Sequence, residues 1–417
     1  DNTQTGETVT AEDIEKMPGR SVLSVASSVA GVGSRDGNGV GNIRGARGGN
    51  IYFVDGVRVR GGLNIPKAAQ EQVQVITGGM AAKYGDVTGG IVSITTKGAT
   101  PLFFGGVELE TSELLDLYGR SLGALTLSGP LFSKKMPDGR KKTIMGYFLS
   151  AEVTYNRNPR RFWTDTYVAK PEVIESLIAN PIRPSSTGVI HYEAEYLDTN
   201  SFQRQWTHTN IATKNGVLSG KITVNATDNV TLTVGGYFSA YDNIGFNWRN
   251  SVFNYDNNGR GYGYQYRIWG RFTQRFSDRN PSQEQASASL IKNAYYQVQA
   301  NYEHSMGWNE NPRHGQDTWK YGHLGSFETT KIETFERSDT ITGYPNGVWV
   351  MNGWKDILYD FTPSDNNPEI AAVTEQYYSF FDDPVGHYEN RTQVINGGGK
   401  LNGGNLGTAY GFFALPG

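Results

Sequence analysis

Ile43-Arg-Gly-Ala-Arg47, Ile51-Tyr-Phe-Val-Asp-Gly-Val-Arg-Val59, Val73-Gln-Val-Ile-Thr-Gly-Gly79, Ala82-Lys-Tyr-Gly-Asp86 and Gly89-Gly-Ile-Val-Ser-Ile-Thr-Thr-Lys97 follow one another near the start of the chain. Short strand-like runs alternate here with glycine turns, and Asp55-Gly56 is a tight-turn dipeptide between two of them. Pro66 followed by Lys-Ala-Ala-Gln reads as a helix start that leads into a strand from Val73 to Thr77. Upstream, Thr10-Ala-Glu-Asp13 spells a capping box for a short helix to Lys16, stopped by Pro18-Gly19. Ser21 caps a second helix, expected over Val22 to Ala30 and ended by Gly31.

The bulk numbers set the limits. The chain has 417 residues, no cysteine, 52 glycines, 24 tyrosines and a net charge of −3. Disulfides and thiolate metal sites are therefore ruled out, and the charge leaves no footprint for nucleic acid. A mean hydropathy of −0.49 is too polar for a helical membrane protein. A membrane β-barrel stays open, because only alternate residues of its strands need be apolar.

From Pro101 the texture changes to long alternating runs. Phe103, Gly105, Val107 and Leu109 alternate with Phe104, Gly106, Glu108 and Glu110. Met145 to Val153, Leu218 to Val224, Val230 to Phe238, Tyr266 to Phe272 and Ala294 to Tyr302 repeat the pattern, each with a polar opposite face. Such alternation means one apolar and one wet face. A soluble sandwich would also alternate. These runs are longer than the usual soluble strand, and Tyr and Phe recur near their ends, which favours a membrane barrel with aromatic girdles. Connections alternate too: Thr227 to Asn229 is tight and Gly129 to Lys142 an extended turn, whereas Asn156 to Ser201 and Phe246 to Gly261 are long. After Trp308 alternation fades, with brief strand candidates around Phe327 to Phe335.

The ordered motifs between Ile43 and Lys97 resemble the plug domain of TonB-dependent outer-membrane receptors. The Thr77-Gly-Gly and Thr96-Lys97-Gly98 spellings are closer to the Bacteroidetes-type SusC- and Oar-like groups than to siderophore receptors. The resemblance implies an α+β plug over residues 1–98, then antiparallel membrane β-barrel strands over 99–307, and a large extracellular loop region over 308–417. The barrel would be part of one with about 22 strands. About seven strands are legible here, and the chain closes on Ala-Leu-Pro-Gly417. The expectation is therefore the N-terminal part of a longer receptor, or a barrel completed by another chain. The TonB-contacting segment is not evident before Thr10 and is expected upstream of Asp1, or missing.

The resemblance implies active import of a large or scarce nutrient (glycan, peptide or chelated metal) at the bacterial outer membrane. Outer-membrane lipid, a TonB-type energy-coupling complex and a surface lipoprotein are its implied partners. The alternative is an Oar-like structural or secretion-associated protein that binds other proteins through its loops. Arg44, Gly45, Asp55, Gly56, Tyr84, Gly85, Gly89 and Gly90 match the plug signature. The plainer role for Arg44 and Asp55 is a buried ion pair or turn cap; the sharper one is substrate contact. Glu108, Glu110, Glu152, Arg267, Arg271 and Arg275 are expected to make polar contacts between plug and wall. Trp248, Tyr262, Trp308 and Trp349 are candidate ligand-facing loop aromatics.

Other chemistry reads weakly, and no cofactor, catalytic residue or metal site is assigned. Asp36-Gly-Asn-Gly-Val-Gly41 brushes a calcium-loop pattern, but Val40 and Arg47 stand where oxygen ligands are required. Gly119-Arg-Ser-Leu-Gly123 spells an esterase elbow, yet lies within an alternating run instead of a strand–turn–helix. The six histidines lack metal-ligand spacing.

Overall fold

The computed structural model describes residues 5–33, 42–43, 46–47, 50–59, 64–80, 87, 89–136, 139, 141–160, 164–186, 190–276, 294–317, 320, 323–340 and 347–379. Two compact units are formed, one from residues 1–157, 212–243 and 262–308, the other from 158–211, 244–261 and 309–417.

The first unit opens with β1 (Thr5–Thr10), α1 (Ala11–Lys16) and α2 (Val22–Ala26). Three two-residue strands follow: β2 (Val32–Gly33), β3 (Asn42–Ile43) and β4 (Ala46–Arg47). The hairpin of β5 (Ile51–Val54) and β6 (Val57–Val59) then leads to β7 (Gln70–Gly78) and β8 (Ile91–Thr96). These strands make a five-stranded sheet of order β1-β7-β8-β5-β6, with β5 and β8 parallel. Val73, Val75, Val92 and Ile94 face Ile14, Val22, Val25 and Ala26 of the helices, so the alternation in β7 buries one complete face. Ile76 and Ile91 are buried too, which covers the sheet on its other side.

Local signals in this region hold, with two adjustments. Asp13 accepts from the Thr10 amide and hydroxyl at 3.3 and 2.6 Å, and Ser21 Oγ accepts from Ser24 N at 3.1 Å, so both helix starts form as spelled. The second helix stops at Ala26, short of the expected Ala30. The hydroxyls of Ser27 and Ser28 donate to the carbonyls of Ser24 and Val25, offering the backbone a non-helical alternative. Pro66 starts just one 3-10 turn, Lys67–Ala69, before β7 begins. At the β5–β6 turn, Asp55 and Gly56 have φ of 49° and 80°, the two left-handed residues a two-residue hairpin requires.

The chain continues as β9 (Phe104–Thr111), β10 (Arg120–Lys135) and β11 (Lys141–Asn156). It then enters the second unit through β12 (Thr166–Ala169), α3 (Pro171–Ala179), β13 (Ile182–Pro184), β14 (Ile190–Tyr192) and β15 (Phe202–Gln205). It returns as β16 (Thr213–Asn225), β17 (Val230–Ile244), β18 (Arg260–Phe276) and β19 (Ala294–Glu310). The seven long strands form one antiparallel wall of order β19-β18-β17-β16-β11-β10-β9. Among the described residues β9 and β19 have one neighbour each. Val107, Leu109, Val153, Val234, Ile268 and Val298 stand exposed on one face, while Phe148, from the other, enters the apolar core of the plug sheet.

The expected turn between Gly129 and Lys142 is shorter than the sequence suggests. Ser133, Lys134 and Lys135 still pair with Thr143, Lys142 and Lys141, and Pro130 is accommodated beside a register shift, where its missing N–H is not needed. Ser121 of the esterase-like spelling pairs with Thr111 and Tyr155 inside β10, so the strand–turn–helix of an elbow is not formed there.

In the second unit, Ala169, Leu177 and Phe253 make a small apolar cluster. Beyond Trp308, where brief strands are expected, the chain builds a long antiparallel pair, β20 (Gly325–Ser338) and β21 (Val348–Pro363), followed by α4 (Pro368–Ser379). A two-stranded ribbon has no buried face to impose alternation, which is why the sequence hides it. In α4, Glu369 takes a two-pronged pair from Arg313 at 2.5 and 2.7 Å. Hydrogen bonding from Arg313 holds the Glu369 carboxyl below the usual carboxylate range. Stability from this half-exposed pair, at most about 1 kcal/mol, is present above about pH 5 and is lost as the pH falls through the lowered pKa. The protection factor of the Ala371 amide, bonded to Asn367 O, should drop with acidification, and Glu369→Gln should abolish that pH dependence.

Candidate functional site at the seam between plug and wall

Among the described residues, two charged contacts join the plug to the wall. At the first, the β5–β6 turn presents Asp55, whose carboxylate accepts from Thr96 N at 3.0 Å and Thr96 Oγ1 at 2.7 Å. These bonds tie the turn to the end of β8. From β16, Lys221 reaches across to Asp55 Oδ1 at 3.1 Å and to Thr96 O at 2.8 Å. The side chains are 12% and 5% exposed, so this is a desolvated pair whose remaining polar atoms are satisfied by the Thr96 backbone and hydroxyl. From β18, Arg271 donates to Asp55 O, and its Nε donates to Gln299. Both cations lie over the Trp269 ring, at 5.9 Å for Lys221 and 5.2 Å for Arg271.

The second contact is centred on Arg20, in the connection between the two plug helices. Its guanidinium grips Glu108 through two bonds, at 2.6 and 2.9 Å, and Glu152 at 3.0 Å, with Glu110 at 3.7 Å. The hydrogen bond with Glu108 outweighs burial and raises the Arg20 pKa. Gln70 fixes the arginine from behind by donating to Arg20 O at 3.1 Å. Three carboxylates on the wet face of β9 and β11 thus converge on one plug cation.

The expected plug-to-wall groups divide accordingly. Glu108, Glu110, Glu152 and Arg271 meet the plug. Arg267 instead pairs within the wall, with Glu303, and Arg275 is exposed and contributes its backbone N–H to Asn229 O. Lys221 and Arg20 were the partners not singled out. Lys221 had a signal, since a lysine on the wet face of a membrane strand needs a counter-ion. Arg20 had none.

Within the plug signature, Asp55 and Gly56 form the wall contact, whereas Arg44, Gly45, Tyr84 and Gly85 lie outside the described residues. Gly89 and Gly90 are buried, and Gly90 N donates to Asn50 Oδ1 at 3.1 Å. A Cβ on Gly90 would stand 2.4 to 2.8 Å from three side-chain atoms of Ile43, its Cβ included. Gly90→Ala is therefore expected to cost about 1–3 kcal/mol, seen as a lower urea midpoint, and combined with Ile43→Ala it should cost less than the sum of the two changes made separately.

Of the four aromatic candidates, two are brought together. Tyr262 and Trp308 sit inside β18 and β19 and stack at 5.4 Å, beginning a ladder that continues through Tyr264, Tyr266 and His304. Trp248 lies beside Arg249, 5.5 Å from its ring, and Trp349 is in β21; both are exposed.

Comparison with known proteins bears on the plug. Residues 1–91 match the family model described as TonB-dependent Receptor Plug Domain. Among curated proteins none matches the chain. Of solved structures, a double mutant of the ferric enterobactin receptor PfeA from Pseudomonas aeruginosa is 16% identical, with a TM-score of 0.39 over 79% of this chain and 48% of that one. The siderophore receptor PirA from Acinetobacter baumannii is 18% identical, with a TM-score of 0.38 over 70% and 44%. The chain spans about half the length of these structures. Residues 1–91 are thus a TonB-dependent receptor plug domain, and a wall of seven antiparallel strands packs against it.

Proposed function

We propose that the protein takes part in TonB-dependent import of a large or scarce nutrient (a glycan, a peptide or a chelated metal) through a plugged β-barrel. The observation that carries this reading is the seam itself. Among the described residues the plug meets the wall through discrete polar contacts at Asp55 and Arg20, with Phe148 adding an apolar one, and the polar contacts can break and re-form in water as a channel opens. An apolar weld would have to expose its whole area to move.

In this reading residues 1–98 are the plug and 99–307 the wall, which further strands complete at β9 and β19, since an open edge facing lipid leaves unpaired backbone groups costing several kcal/mol each. Residues 308–417 belong to the extracellular side, with the long connections after β11 and β17. Trp248 and Trp349, exposed there, are the ligand-facing candidates; Tyr262 and Trp308 suit a membrane-interface ladder better. An inner-membrane complex acting through TonB pulls the plug, and a surface lipoprotein partner would favour glycan or peptide. The Thr77-Gly-Gly and Thr96-Lys97-Gly98 spellings support the SusC- and Oar-like neighbourhood. No observation favours the Oar-like structural or secretion-associated alternative, and no residue is assigned to catalysis.

The test is uptake of labelled glycan, peptide and metal–chelate pools by cells carrying the intact receptor, with and without a functional TonB. Accumulation of one pool that disappears without TonB is the expected result. Uptake that persists without TonB would sink the proposal.

A further inference from the structure

Beside the Asp55 contact lies a small, partly open cavity with room for about one water-sized sphere. Asp55 and Thr96 of the plug line it with Ser219, Tyr237, Arg267 and Trp269 of the wall. Two of these groups are buried polar atoms without a hydrogen-bond partner: Arg267 Nη1, on a side chain 1% exposed, and the Tyr237 hydroxyl. Burying such groups unsatisfied costs about 1–3 kcal/mol each, and more for a charged one, so their convergence on one cavity calls for a resident group.

The chemistry of that group follows from the donors and the charge. A guanidinium N–H can donate but not accept, and a phenol hydroxyl is free to donate as well. Around the cavity stand three cations, Lys221, Arg267 and Arg271, and two carboxylates, Asp55 and Glu303. Lys221 pairs with Asp55 and Arg267 with Glu303; among the described residues Arg271 has carbonyl and amide partners and no carboxylate. A surplus of one positive charge beside two buried, unsatisfied donors matches an acceptor that carries one negative charge. A cavity of this size admits a single small sphere.

We propose that this cavity is a binding site for one monovalent, chloride-sized anion, held by Arg267 Nη1 and the Tyr237 hydroxyl at the junction of plug and wall. The anion neutralises the surplus charge and makes the seating of the plug depend on halide. This site stands independently of the import reading.

The test uses the full receptor extracted from outer membranes. Crystals grown in sodium bromide should show an anomalous peak between Arg267 and Tyr237; no peak there, or density for a water alone, overturns the proposal. In solution, thermal unfolding is followed as chloride replaces gluconate at constant ionic strength, which separates a site from screening. Chloride should raise the midpoint by mass action. Tyr237→Phe keeps the ring and removes one donor to the anion, so half of the effect should need about tenfold more chloride. An identical chloride dependence in wild type and Tyr237→Phe would overturn the assignment as well.

Discussion

Lys221→Met should loosen the plug more than any other single change in the wall. It leaves the Asp55 carboxylate buried without its cation, a situation that costs about 3–5 kcal/mol in desolvated pairs. The Thr96 amide, which donates to Asp55 at 3.0 Å, is the natural reporter. Hydrogen exchange should show its protection falling by about a hundredfold, the equivalent of roughly 3 kcal/mol. Adding Asp55→Asn to Lys221→Met removes the stranded charge while keeping one acceptor, for the Thr96 amide, and should restore most of the protection. Should protection in Lys221→Met stay within about threefold of wild type, the pair would not be what holds this turn to the wall. Because positive φ at position 55 suits Asn as well as Asp, the rescue is free of backbone strain.

The second large effect is expected at Arg20. Arg20→Ala strands Glu108 and Glu152 with their common cation gone, while Glu110 keeps its pair with Arg120. Like charges at this range repel, and Glu152 at 16% exposure is poorly screened. We expect about 2–4 kcal/mol of lost plug attachment, read as the force needed to extract the plug from receptor held in outer-membrane vesicles. Arg20→Lys should recover part of this, since it restores the charge but not the two-pronged grip on Glu108. Combining Arg20→Ala with Glu108→Gln and Glu152→Gln should cost less than Arg20→Ala alone. An additive outcome would mean that the carboxylates are held by something other than Arg20.

Both sites share a design. A cation from one partner meets carboxylates of the other, with a side chain of the plug, Thr96 or Gln70, holding the plug member in place. At both contacts charged groups carry the attachment, so breaking them exchanges protein partners for water partners.

The plug was legible in the sequence because its instructions are local. Asp55-Gly56 demands a tight turn through backbone sterics, Thr10 and Ser21 satisfy helix ends within three residues, and Val73 and Val75 mark a buried face through the period of the strand itself. The wall was legible for the same reason: alternation from Val107 to Leu109 or from Leu218 to Val224 records a difference between two environments. Where no such difference exists the pattern fails, as in the β20–β21 ribbon, and where side chains compete for the backbone the boundary shifts, as at Ser27 and Ser28.

The sequence by itself thus determined a plug followed by antiparallel strands with one wet face, and the residue types that face carries. Tertiary structure alone decided who pairs with whom across the seam. Arg20 and Glu152 are 132 positions apart and Lys221 and Asp55 166 apart. No periodicity links such residues, because an ion pair depends on distance in space, and that distance is set when the strands have already closed on the plug.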